Sequence, residues 1–82
     1  MTEPAVPRAN TLLLRGEHIT LARAVKAVGL AGSGGEAKHL VRGGALRVNG
    51  APEAQPGRKL RAGDRFGPLG SVEWTILAEP NP

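Results

Sequence analysis

The stretch Gly32–Val41, "GSGGEAKHLV", sets three glycines around a serine and runs directly into Glu36, Lys38 and His39. Two structures compete for it. A glycine-rich loop after a buried strand cradles phosphates in nucleotide enzymes. A serine three residues before a glutamate is a capping box, in which the serine oxygen takes a backbone N–H and the glutamate reaches back. The residues that follow favour the helix. Ala37, Leu40 and Val41 recur at i, i+3 and i+4, and Gly43 and Gly44 supply a C-terminal stop. Lys38 and Arg42 are four apart, so they stack on one side of this helix, with His39 beside them. Gly34 and Gly35 add no bulk there, so another backbone can approach closely. The plainer alternative for Lys38 and Arg42 is a solvated polar face.

The loop reading fails on context. Gly32 to Ala37 fits the loose pattern G-x-G-x-x-A, but that pattern has meaning only after a buried strand inside a βαβ unit. The preceding segment, "HITLARAVKAVGLA" (18–31), has a helical period instead: Leu21, Ala24, Val25 and Val28 form one stripe. Thr20 is placed as its N-cap and Gly29 as its stop, with Arg23 and Lys26 off the stripe. A P-loop also fails, because Lys38 follows Ala37 and precedes His39.

Outward from the two helices the pattern changes. "TLLLRG" (11–16) reads as a short strand or extended lead-in. Leu46 and Val48 alternate with Arg47, and Asn49-Gly50 is a strong hairpin signal. The returning strand is brief, since Pro52 suits only an edge. Turns are expected at Pro56-Gly57 and Gly63-Asp64, on either side of the basic cluster Arg58, Lys59 and Arg61. "SVEWTIL" (71–77) reads as the final strand, with Val72, Trp74 and Ile76 on one face and Trp74 in the core. Residues 1–10 read as a disordered tail, and the ending "EPNP" as frayed.

The chain has 82 residues, enough for one small domain with a limited core. It has no cysteine, which suits a reducing compartment and removes disulfides and thiolate ligands. No run resembles a signal peptide or approaches membrane-spanning length, so a cytoplasmic location is expected. Between Arg15 and Arg65 there are ten basic residues and four acidic ones, so the middle of the chain carries +6. Such a domain is a candidate for a polyanionic partner. One Phe, one Trp and no Tyr argue against stacking single-stranded bases on aromatic platforms.

Catalytic constellations are not apparent. His18 and His39 are the only histidines, and no carboxylates cluster near either, so no metal site is expected. A hydrolytic triad would draw on Ser33 or Ser71, a histidine and Asp64, but Ser33 is used as a cap and Asp64 sits in a turn. The expectation is a binding module and not an enzyme, with no cofactor and no small-molecule substrate.

The segment "SGGEAKHLVRGGALRVNG" (33–50), followed by "RKLRAGD" (58–64), resembles the small RNA-binding domain named after ribosomal protein S-four, the alpha-L motif. It is most similar to the stand-alone bacterial YaaA/YbcJ-like branch. The matching positions are Ile19, Leu21 and Lys26; Ser33 to Lys38; Leu46, Val48, Asn49 and Gly50; and Lys59, Leu60, Gly63 and Asp64. The wider family usually has Arg directly after the serine, whereas Gly34 stands here, as in the stand-alone branch. The resemblance spans roughly residues 12–77.

The resemblance implies an α+β fold with two short helices on a small, mostly antiparallel sheet and hairpin. It places an RNA-binding domain at 11–78, with 1–10 a disordered tail and 79–82 a frayed end. It implies a basic face that meets structured RNA, ribosomal RNA first and tRNA second, by backbone shape and 2′-hydroxyls. The setting is the ribosome or its assembly intermediates. Lys26, Lys38, His39, Arg42, Arg58, Lys59 and Arg61 would supply that face. Ser33, Gly34 and Gly35 would supply a phosphate site at the helix start. Asn49 would add a hydrogen bond, although tolerance of positive φ is its simpler role. The alternative function is a protein-interaction adaptor of the same fold, docking on a ribosomal or RNA-processing protein.

Overall fold

The computed structural model describes residues 10–79. Of the expected tails, 1–10 and 79–82, residues 1–9 and 80–82 lie outside the described residues. Within them the fold is α+β, as expected: two short helices against a mostly antiparallel sheet. The strands are β1 (Thr11–Leu14), β2 (Ile19–Thr20), β3 (Leu46–Val48), β4 (Ala51–Glu53), β5 (Lys59–Leu60), β6 (Arg65–Pro68) and β7 (Trp74–Ala78). Five of them form one sheet in the order β1-β7-β6-β3-β4, and β2 pairs separately with β5. The helices are α1 (Leu21–Ala27) and α2 (Gly34–Arg42).

The caps fall where the sequence places them. Thr20 Oγ1 accepts the N–H of Arg23 at 3.4 Å and starts α1. Gly29, at φ +84°, takes the left-handed position that ends it. Ser33 Oγ accepts the N–H of Glu36 at 3.1 Å and starts α2. The Glu36 carboxylate reaches one residue beyond the serine, to the N–H of Gly32 at 2.7 Å. One orphan donor of the helix and the N–H just before its cap are therefore satisfied by one pair of side chains. Ser33→Ala is expected to cost about 1 kcal/mol, the usual value of such a cap, measured as a lower urea midpoint.

The two apolar stripes face each other. Leu21, Ala24 and Val25 of α1 and Ala37 and Val41 of α2 are fully buried. They close over Leu46, Val48, Leu60, Phe66 and Ile76 from the strands. The hairpin behaves as its pattern requires: Leu46 and Val48 point inward, Asn49 turns at φ +52°, and β4 with Pro52 is the sheet edge.

Three expectations are corrected. The turns expected at Pro56-Gly57 and Gly63-Asp64 are present, but residues 55–66 also contain β5 and the start of β6. A two-residue strand is too short to show a period, and Gly67 and Pro68 depress strand propensity in β6. The last strand begins at Trp74 and not at Ser71, and Val72 is 49 % exposed. Residues 69–73 are needed to turn the chain between β6 and β7. Phe66, not Trp74, is the fully buried aromatic; Trp74 is half-buried and stacks on it at 6.1 Å between centroids.

The β6–β7 connection is held by Arg47. Its guanidinium donates to the carbonyls of Pro68 and, at 2.9 Å, Ser71, and lies 3.6 Å from the Glu73 carboxylate. Its side chain is only 17 % exposed, so these charge-assisted bonds are partly shielded from water.

Candidate functional site

A groove of about 720 Å³ runs between α1, α2 and the Pro56-Gly57 turn. Arg23 and Lys26 come from α1, and Lys38 and Arg42 from α2, all four exposed. Helix spacing explains the pairs: three or four residues apart on a helix is one side of it. Between the cations the surface is apolar, made by Ala22, Ala27, Ile19 and Pro56. Gly34, the first residue of α2, also lines the groove.

The turn is fixed to α1 by backbone bonds. Arg58 carbonyl accepts the N–H of Leu21 at 2.8 Å, and Pro56 carbonyl accepts that of Ala22 at 3.0 Å. Thr20 takes the next N–H, so the start of α1 is spent on the protein itself. At the start of α2 the cap uses Glu36 N–H, and Ser33 carbonyl accepts the N–H of Ala37 at 3.0 Å.

The basic residues divide by partner. Arg15 pairs with Glu79 at 2.9 Å, Arg58 with Glu53 at 2.6 Å, and Arg47 and Arg65 with Glu73 at 3.6 and 3.7 Å. Among the described residues, Arg23, Lys26, Lys38, Arg42, Lys59 and Arg61 have no carboxylate partner. Four of these six line the groove. Lys59 lies on β5 and Arg61 in the turn after it, both exposed and continuous in sequence with the Pro56-Gly57 wall.

The remaining expected site residues have other surroundings. Ser33 caps α2, and Gly35 and His39 are exposed on that helix outside the groove lining. The Arg58 guanidinium is occupied by Glu53. Asn49 is engaged inside the protein: its Nδ2 donates to Asp64 Oδ1 at 3.2 Å, and its Oδ1 accepts the N–H of Arg65 at 2.9 Å. Arg23 was not among the expected site residues. Its spacing of three from Lys26 is the signal that would have found it.

Asp64 locks the turn that follows Arg61. Its Oδ2 accepts the N–H of Arg61 at 2.8 Å, and that bond is the main reason its carboxyl lies below the usual carboxylate range. Partial burial opposes the shift; the Asn49 amide and the Arg58 and Arg61 cations add to it. A depressed folded-state pKa gives stability that is complete above the unfolded value of about 3.9 and lost as pH falls through the folded one. Asp64→Ala is expected to cost about 1–2 kcal/mol at pH 7, from lost hydrogen bonds to a charged acceptor. The gap from wild type should shrink below about pH 4, as urea unfolding at both pH values would show.

Among the described residues no group of His, Asp and Glu could hold a metal ion, and no helix is long and apolar enough to cross a membrane. A family model described as S4 domain matches residues 12–67. No curated protein matches the chain.

Proposed function

The chain belongs to the S4 domain family, an RNA-binding fold, and from that premise we propose that it binds structured RNA through the α1–α2 groove. One observation carries the proposal. Four of the six described lysines and arginines without a carboxylate partner line the groove, while Arg15, Arg47, Arg58 and Arg65 each lie beside Glu53, Glu73 or Glu79. An unpaired cation gains more from a phosphate than one already paired.

In this reading Arg23, Lys26, Lys38 and Arg42 hold phosphates, and Lys59 and Arg61 extend the contact beyond the turn. Gly34 and Gly35 let the RNA backbone approach α2, with His39 at the margin. Ser33, Asn49 and Arg58 act by shaping the surface. Ribosomal RNA, free or in an assembling ribosome, is the first target and tRNA the second. The stand-alone branch assignment, which rests on the spaced motifs from Ile19 to Asp64 together with Gly34 in place of arginine, belongs to the same reading, as does a cytoplasmic setting. The domain holds RNA and performs no chemistry on it.

The test is ultraviolet crosslinking in cells with sequencing of the attached RNA. Recovery of one ribosomal region above background is expected. Recovery of a protein partner in a nuclease-resistant complex, with RNA at background, would overturn the reading in favour of an adaptor.

A further inference from the structure

The groove has more apolar surface than phosphate binding requires. A regular RNA duplex presents phosphates and sugars outward and keeps its bases stacked inside. Docked across the two helices, it would satisfy the cations but leave Ala22, Ala27 and Pro56 facing a wet gap. At about 720 Å³ the space lies within the range of roughly 300–1,000 Å³ that accepts a small-molecule-sized group.

We propose that the groove receives a single nucleotide extruded from structured RNA, its base on the apolar floor and its flanking phosphates on the cations of α1 and α2. This rests on the RNA reading above and specifies which RNA feature is bound. The floor offers a base a flat apolar contact, and the rim offers its backbone two rows of charge, Arg23 and Lys26 opposite Lys38 and Arg42. No aromatic side chain lines the groove, so nothing there would stack a run of bases. Entry of one nucleotide is the arrangement that uses both the charge and the apolar floor. A base that is already unpaired is the least costly to extrude, so a bulge in a stem is the preferred feature.

Gly57 is a place to alter the groove's wall without touching a charge. It lines the space, an added Cβ would meet no atom within 4 Å, and its φ is outside the left-handed region. Gly57→Leu therefore adds a large apolar side chain at the groove's wall with little strain.

The experiment compares two fluorescent RNA hairpins, one fully paired and one carrying a single unpaired 2-aminopurine in the stem. Wild type is expected to bind the bulged hairpin at least about tenfold more tightly, from the apolar area covered. The 2-aminopurine emission should change on binding. Gly57→Leu should bring the bulged hairpin down to the paired one and abolish the emission change. Its melting curve checks that it folds. Equal binding of both hairpins by wild type would overturn the extruded-nucleotide proposal while leaving RNA binding in place. Binding of neither would overturn the RNA reading itself. A bulge preference that survives in a folded Gly57→Leu would show that the nucleotide sits elsewhere, and would also overturn the proposal.

Discussion

Replacing Lys38 and Arg42 together by alanine is expected to weaken binding to structured RNA by roughly 10- to 100-fold at low salt, the combined effect of two charge-assisted contacts. Both side chains are exposed on α2, line the groove and have no carboxylate partner among the described residues. Each phosphate contact contributes about 0.7 to 0.9 to the slope of log affinity against log salt, so the variant's slope should be shallower by about 1.4 to 1.8. The fold should survive, because the helix packs through Ala37 and Val41. Only Arg42 has a local role, in the last turn, where a cation offsets the helix dipole by about 0.3–1 kcal/mol.

The necessary control removes the same charge from another part of the surface. Arg15→Ala with Arg65→Ala deletes two cations that already have Glu79 and Glu73 as partners. If net charge alone draws the RNA, both double variants lose affinity equally. If the groove is the site, only the Lys38/Arg42 pair does so. Unchanged affinity in the Lys38/Arg42 variant would show that the RNA is held elsewhere.

The second large effect concerns a glycine that no charge or period singles out. Gly67 is buried in the middle of β6, and a Cβ there would overlap the carbonyl oxygen of Val72, with Glu73 Cα at 3.1 Å. Both are backbone atoms, so no side chain can swing away. The strain falls on the β6–β7 connection, where Arg47 grips the carbonyls of Pro68 and Ser71. Gly67→Ala is therefore expected to cost about 3 kcal/mol, the upper part of the usual overpacking range. For a domain of this size that lowers the melting temperature by roughly 12–24 °C. Gly35→Ala is the matched control: its Cβ meets nothing within 4 Å and it lies inside α2. That change should be neutral or stabilising by about 0.5–1 kcal/mol, since alanine favours the helix. A Gly67→Ala variant melting within about 3 °C of wild type would show that the connection can move away freely.

Much of this architecture was legible in the chain because its signals are local. The caps at Thr20 and Ser33, the stops at Gly29 and Gly43-Gly44, the Asn49-Gly50 hairpin and the Asp64 turn each depend on groups within four residues of one another. The helical stripes are equally short-range, and they identified the buried faces of α1 and α2 correctly. Lys38 and Arg42 followed from the same spacing, Lys26 from the family resemblance, and the three share one groove.

What the tertiary structure decided lies at long range. β1 pairs in parallel with β7, placing Leu12 beside Ile76, and no pattern in either segment announces the other. Strand register made Phe66 the centre of the core and left Trp74 half-buried against it. The same sheet sets Glu73 beside Arg47 and Arg65, and so determines which of its cations have a partner. Composition counts charges and helical period aligns neighbours. Whether a given arginine is available to a phosphate depends on a carboxylate brought to it by folding, and at Arg15 that carboxylate is Glu79, 64 residues away.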